Sequence, residues 1–393
     1  MARAPRQQAN PKSATSSRQS LETDCDLITR LLLVVTAFCI GGMFGCLPTA
    51  ELPKMPDDLR TAKIDQGKAD FGKKVFDEYP NLGLITDLHY GRFNSDLEPQ
   101  LAVVGAAGAA FVGSDHRVQK NTHFAIRMFG HVVLIGPKDG GTPEFLGRGG
   151  NWNEKVRVFD KHGALLWDYG SLWGIDDAAY GDVNGDGKWE VAVGLNGGGG
   201  VRLLDAKGRE LWSKLAGNVW HVEVINAEEG RGGEIIHSDA SGALTFRNGA
   251  GEVLLTFHPT QYVSSFGLTR WPTDHEPHHI IIPGQDVIEI LDVDGHQIAR
   301  LDAPRLSTGS LLSIAGTAVC FSNRRCYHAT LVDYPLWDRS ILYMNDLKGT
   351  IAYREVFEHR CAAVGAMPTA SGSQDESLLV GCSSEVWKYF YLH

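Results

Sequence analysis

A short strand–turn–strand phrase recurs through this chain at a nearly fixed interval, and no other feature constrains the fold as tightly. Val158-Phe-Asp160-Lys-His-Gly163-Ala-Leu-Leu-Trp167 is matched by Val201-Arg-Leu-Leu-Asp205-Ala-Lys-Gly208-Arg-Glu-Leu-Trp212. Phe246-Arg-Asn248-Gly-Ala-Gly251-Glu-Val-Leu-Leu255 and Ile290-Leu-Asp292-Val-Asp-Gly295-His-Gln-Ile298 repeat it, with a looser copy at Tyr343-Met-Asn345-Asp-Leu-Lys-Gly349-Thr-Ile351. The turn glycines stand at 163, 208, 251, 295 and 349, at intervals of 45, 43, 44 and 54 residues. Glycine supplies the positive φ of a tight reversal, and Asp or Asn ahead of it favours the same turn. Repeats of about 40–50 residues built only from short strands are the mark of propeller blades. Helical periodicity is missing from most of this stretch, which argues against a helical solenoid.

The same register carries an acidic loop. In Asp182-Val-Asn184-Gly-Asp186-Gly-Lys188-Trp-Glu190, oxygen-bearing side chains occupy positions 1, 3, 5 and 9 around a glycine at 6. Alternate residues of a tight turn can aim carboxylates and an amide at one hard cation, and calcium takes six to eight oxygens. Lys188, at position 7, offers its backbone carbonyl. Position 12 is Val193 rather than a bidentate Glu, and a strand follows instead of a helix. Asn226, Glu228 and Glu234 repeat the loop 44 residues on without the central acid; Asp274 and His278 mark it faintly, and Asn94, Asp96 and Glu98 show it with shifted spacing. The alternative to a calcium loop is an acidic Asx-type turn.

A calcium loop running straight into a strand resembles the FG-GAP/VCBS repeat. That resemblance implies an all-β chain, a calcium-decorated β-propeller of six or seven four-stranded blades, preceded here by a hydrophobic N-terminal segment. The phrase around Asp205–Trp212 also resembles repeats of quinoprotein-type propellers, which serve as quinone-dependent dehydrogenases or as noncatalytic scaffolding lipoproteins. The expected propeller covers residues 64–393, with a linker at 47–63. Residues 106–154 read as an insertion in the first blade or as an extra blade. The last segment, from Cys361, lacks an outer strand, which Lys73–Phe76 can supply to close the ring.

The N-terminus bears on location. Leu31–Leu47 is a run of 17 uncharged, mainly apolar residues following Arg30, close to a signal h-region and short for a membrane span. Met43-Phe-Gly-Cys46 resembles a lipobox, with Cys46 as the lipidation site. Residues 1–46 are therefore expected to be a signal or anchor segment that tethers the propeller to a membrane outside the cytoplasm. Four cysteines lie in the body: Cys320, Cys326, Cys361 and Cys382. An oxidising compartment allows three pairings. Cys320–Cys326 across a hairpin and Cys361–Cys382 within the last blade are the expected ones, with buried free thiols as the alternative.

Composition narrows the partners. The formal charge is −10, with 32 basic and 44 acidic residues after residue 46. Such a surface disfavours nucleic acid, which needs basic patches. The glycine run 197–200 lacks the Lys and helix of a phosphate loop, and no nucleophile elbow or triad order is present. His275-Glu-Pro-His278-His279 reads as a solvated loop. Trp167 and Trp212 occupy equivalent repeat positions and read as blade-packing residues. Trp173, Trp189 and Trp220 fall near loops and can line a binding face. The function expected is a calcium-binding, noncatalytic binding or scaffolding module for a protein or carbohydrate. The alternative is a propeller-scaffold enzyme, either a polysaccharide lyase or hydrolase or a quinone-dependent dehydrogenase.

Overall fold

The computed structural model describes residues 53–392, apart from 61–63, 67–69, 94–97, 129, 137–141, 149–153, 229–230, 275–276, 307–311, 323–324 and 371–372. Residues 1–46, and with them the expected signal or anchor segment and Cys46, lie outside that description. From Met55 to His393 the chain is one compact unit. Among the described residues no helix is long and apolar enough to cross a membrane.

That unit is a seven-bladed propeller, each blade an antiparallel sheet. The blades span residues 85–123, 132–169, 175–214, 219–257, 267–302, 313–357 and 361–391. The innermost strands (Ile85–Gly91, Val132–Ile135, Ile175–Gly181, Val219–Ile225, Gly267–Thr269, Ser313–Cys320 and Cys361–Pro368) surround the axis. Blade seven takes its outer strand from the start of the unit: Phe71–Glu78 pairs antiparallel with Glu385–Tyr391. Of the two expected readings of residues 106–154, the extra blade is the nearer: the strands Gly108–Val112 and Val118–His123 complete blade one, and Val132–Ile135 and Glu144–Gly147 open a further blade that brings the count to seven. Within Phe124–Ile135 only Val132–Ile135 forms a strand.

Five turns share one construction. Asp160, Asp205, Asn248, Asp292 and Asp346 each accept, through Oδ1, the N–H groups two and four residues ahead, at 2.8–3.0 Å. The glycine three residues on has φ between +76° and +87° in all five. The copy near Asn345 is thus in register after all, with Asp346 rather than Asn345 as its Asx residue.

The turn glycines also pack between blades. A Cβ on Gly208 would lie 2.7 Å from the Trp167 ring, and one on Gly251 2.6 Å from Lys214. Trp167 donates its indole N–H to Ala206 O (3.0 Å), and Trp212 donates to Gly249 O (2.9 Å). Each tryptophan of one blade's outer strand therefore anchors the turn of the next blade.

The core lies between blades. Second strands such as Gln100–Gly105 and Glu190–Leu195 are buried at every position, because both faces meet a neighbouring blade. This is why they read as continuous apolar runs rather than alternating ones. Between blades two and three, Ile135, Leu146, Val156 and Val158 pack against Ile175, Val191, Val193 and Leu204. Burying each such side chain contributes roughly 1.5–3 kcal/mol.

Ring closure has its own lock. Glu355, on the fourth strand of blade six, is 3% exposed and pairs with Lys73 of the closing strand. It also accepts hydroxyl bonds from Tyr353 (2.6 Å) and Tyr389 (2.8 Å). Upstream, a turn of 3-10 helix at Asp57–Leu59 buries Leu59 in the cluster between blades five and six. Strand Ile64–Gln66 adds a fifth strand to blade six. Part of the expected linker is therefore integral to the fold.

Candidate functional site

Antiparallel blades sort their connections onto two faces. The Asx turns and the loops joining first to second strands lie on one face. Blade-to-blade loops and the loops joining second to third strands lie on the other. The acidic loop Asp182–Glu190 belongs to the turn face. There Gly185 and Gly187 N–H donate to Asp182 Oδ1 (2.7 Å) and Oδ2 (3.0 Å), wrapping the loop around a buried carboxylate. Asp186 N–H donates to Asn184 Oδ1, and Lys188 N–H to Asp186 Oδ1, both at 2.8 Å. Glu190 accepts from Val183 N–H (3.1 Å) and Asn184 Nδ2 (2.9 Å). Burial, with Asp186 and Asp182 nearby, raises the Glu190 pKa. Three carboxylates, an amide oxygen and the Lys188 carbonyl thus lie in one loop, but Asp182, Asp186 and Glu190 do not bring their oxygens to one point, and Asp182 and Asn184 accept the loop's own N–H groups as an Asx-type turn does. The loop is tied to blade four by Asp182 N–H donating to Asn226 Oδ1 (2.9 Å).

The cysteines form two disulfides, Cys320–Cys326 and Cys361–Cys382. The first bridges the facing ends of the first two strands of blade six, and the second joins directly opposed residues of blade seven. His278 Nε2 lies 3.1 Å from Glu228, and His279 Nδ1 lies 3.0 Å from Asp274. Those imidazoles face different carboxylates and do not converge. Trp189 stacks on Trp167, with ring centroids 6.5 Å apart, and belongs to the packing. Trp173 is 52% exposed.

The opposite face gathers polar groups that sequence spacing does not bring together. Asp177, near the start of the innermost strand of blade three, is 3.3 Å from Arg148 Nη1 and 2.5 Å from His221 Nδ1. It also accepts Val222 N–H at 3.1 Å. Burial works against its charge, but Arg148 and His221 prevail and hold the carboxyl well below the usual range. Burial likewise opposes a charge on His221, yet Asp177 and Glu223 lift its pKa to about 9. Glu223 Oε1 is 3.4 Å from His221 Nε2, and Phe266 meets the ring edge-on at 4.8 Å. Next to Asp177, burial pushes Asp176 up to about 6 even though Asn196 donates to it at 3.0 and 3.1 Å.

Blade one contributes in the same way. Leu134 N–H donates to Asp87 Oδ2 (2.8 Å), and Thr86 Oγ1 exchanges bonds with the backbone of Val132. Tyr180 reaches back to donate to Leu134 O at 2.7 Å. Polar side chains early in one innermost strand thus staple the next innermost strand, fixing the charged groups around the axis. His131 stands beside Arg148, whose N–H donates to its carbonyl at 2.9 Å. Burial and the cations Arg148 and Arg360 drive the His131 pKa down to about 3, so it is neutral near pH 7.

Around this cluster the blade-to-blade loops expose large apolar side chains. Leu172 and Trp173 lie in one, Leu215 in the next, and Tyr262 in the third. Glycines back the aromatics: a Cβ on Gly199 would lie 2.9 Å from Trp173, and one on Gly242 2.5 Å from Tyr262.

No family model matches the chain, and no curated protein does. Among solved structures the chain is similar to BBS1N crystallised in complex with ARL6DN. That pair shares 13% identity and a TM-score of 0.56, over 84% of this chain and 98% of that one. It is also similar to a streptogramin B lyase, at 14% identity and a TM-score of 0.52 over 82% of this chain and 98% of the other. Virginiamycin B lyase from Staphylococcus aureus gives 11% and 0.52, over 82% of this chain and all of that one. At such identities the likeness establishes a β-propeller and nothing about activity. The FG-GAP/VCBS resemblance gains no family match from these comparisons.

Proposed function

We propose that this protein is an exported, membrane-tethered, calcium-binding propeller acting as a noncatalytic binding or scaffolding module. The observation that carries the reading is the set of large apolar side chains, Leu172, Trp173, Leu215 and Tyr262, exposed on consecutive blade-to-blade loops of one face. Clustered exposed apolar groups rimmed by polar ones mark recognition surfaces. The charges beside them are largely spent on one another: Asp177 is held by Arg148, His221 and a backbone amide. A solved propeller crystallised in complex with a protein lends the fold-level analogy.

Calcium would be held by Asp182, Asn184, Asp186, the Lys188 carbonyl and Glu190, neutralising the loop rather than taking part in chemistry. Export is supported by the two disulfides, since such bonds persist in oxidising compartments. Tethering rests on the apolar run before Cys46.

The enzyme reading rests on His221, which lies among Asp177 and Glu223 at the axis, and on the two lyases of similar fold. Two variants separate these readings. A Leu172→Ala/Trp173→Ala protein should keep its melting temperature and lose association with the partner that co-purifies from the envelope fraction. Retained association in that variant sinks the face assignment. Lyase activity lost in His221→Gln would install the enzyme reading in its place.

A further inference from the structure

The exposed apolar residues of the loop-rich face share one backbone framework. The six-membered ring of Trp173 rests against the turn 196–200, where a Cβ on Gly197 or Gly198 would lie 3.2 or 3.5 Å from it. That turn is bound to the next blade-to-blade loop, since Gly197 N–H donates to Asn218 Oδ1 and Gly200 N–H to Gly217 O, both at 3.1 Å. Asn218 O in turn accepts Ala240 N–H, at 3.1 Å, from the turn 239–242. Tyr262 covers Gly242 of that turn and donates its hydroxyl to Ala240 O at 3.2 Å. Trp173 and Tyr262, 52% and 57% exposed, thus stand at the two ends of a continuous strip, and Leu215, on the middle loop, is 81% exposed.

The charge on this strip has one sign. Asp176 is tied to the first turn by Asn196 Nδ2, at 3.0 and 3.1 Å. Asp239 caps the second turn, accepting Ser241 N–H at 2.8 Å, one residue from the carbonyl that holds Tyr262. Residues 171–176, 196–200, 215–218, 239–242 and 258–263 contain no Lys or Arg. Arg202 touches the first turn at Gly199 O (2.7 Å), but it is largely buried and lies 3.6 Å from Glu210. Lys214, just before Leu215, lays its chain against Gly251 on the turn face, where a Cβ would lie 2.6 Å from it. We propose that the strip is a docking surface for an extended basic segment of the partner, which sets Arg or Lys side chains over Trp173 and Tyr262 and an apolar side chain against Leu215. A cation within about 6 Å of a Trp or Tyr ring is drawn to its face. Asp176 and Asp239 supply the complementary charge that orients such a segment. Rings already seated on glycine turns need little further ordering when it binds.

This inference rests on the reading of the loop-rich face as the recognition surface and names what the partner brings to it. The test is fluorescence anisotropy of the full-length protein in detergent with three labelled peptides, in which leucine alternates with arginine, glutamate or serine. The expected result is saturable binding of the arginine peptide alone, weakened by added salt. Affinity should fall about fivefold in Trp173→Ala and in Tyr262→Ala, and about threefold in Asp239→Asn. Tyr262→Phe keeps the ring and gives up only the bond to Ala240, so it must bind as the parent protein does. Asp294→Asn removes an exposed carboxylate from the turn face and must leave binding intact. A loss there equal to that in Asp239→Asn marks general attraction to an acidic protein and overturns the proposal. Preference for the glutamate peptide, equal binding of the serine peptide, or no binding at millimolar peptide overturns it as well. Partner association separates this inference from the reading beneath it. Association lost in Trp173→Ala, yet indifferent to excess arginine peptide and to Asp239→Asn, overturns the basic segment and leaves the face assignment standing. Association that survives Trp173→Ala overturns both.

Discussion

Ring closure depends on one buried carboxylate, and the pair Lys73 and Glu355 measures what it contributes. Glu355 is 3% exposed and collects the Lys73 ammonium and the Tyr353 and Tyr389 hydroxyls. Lys73 also lies 4.7 Å from the centre of the Trp387 ring. Lys73→Met keeps the stem length and removes the cation, leaving the carboxylate with two hydroxyl donors. Breaking a buried pair on one side costs about 3–5 kcal/mol, and the surviving hydroxyl bonds place this case near 3. Glu355→Leu instead strands two buried hydroxyls, at roughly 1–3 kcal/mol each. The double variant leaves no uncompensated charge, so the two losses should be less than additive by about 2 kcal/mol. In a domain of this size 3 kcal/mol corresponds to a fall in melting temperature of roughly 4 °C. Thermal and urea unfolding of the four proteins supplies the cycle. Additive losses below about 1 kcal/mol each, the range of exposed ion pairs, would refute the claim that this pair closes the ring.

Three further perturbations follow from the geometry. Gly208→Ala forces φ +76° on an L-residue and drives a Cβ to 2.7 Å from Trp167, whereas Gly217→Ala has φ +68° but nothing within 4 Å. Gly217→Ala should cost about 1 kcal/mol and Gly208→Ala clearly more, read by urea denaturation; equal costs refute the inter-blade role of the turn. His221, with its folded pKa raised to about 9, contributes stability that is complete below its unfolded value of about 6.5 and is lost as pH rises through 9. That contribution is at most about 3 kcal/mol, and a His221→Gln protein should show a flatter stability profile between pH 6.5 and 9. Calcium at about 100 times its dissociation constant should raise stability by roughly 2.7 kcal/mol, an increment that chelator or Asp186→Ala removes. Identical melts with calcium and chelator would reduce the loop to an acidic turn.

The repeat was legible because each Asx turn must satisfy two demands at once. Asp or Asn must cap the backbone, and glycine must accept both a positive φ and the preceding blade's outer strand. Where a blade meets those demands differently, the sequence falls silent. Blade one reverses through Asp115 and His116, with His116 itself at φ +60°, so no Asp-x-x-Gly marks it. Blade seven has no such turn because its outer strand comes from residues 71–78. This is why residues 106–154 read as an insertion and why the count stayed between six and seven. The calcium loop stood out because its donors lie within nine residues. The axial cluster could not, since Asp87, His131, Arg148, Asp177, His221 and Arg360 come from five different blades or their leads and meet only when the ring is closed. The one local signal was an acidic residue at the third position of an innermost strand that opens with Ile, as in Asp87 and Asp177.

The central claim is that the loop-rich face is where this protein meets its partner, and site-specific photocrosslinking tests it most directly. A photoreactive residue placed at Leu172 or Tyr262 in cells should give one discrete adduct. The same residue at Leu254, as exposed as Tyr262 but on the outer strand of blade four, should give none. An adduct from position 254 alone, with silence at 172 and 262, would contradict the account and move recognition to the rim.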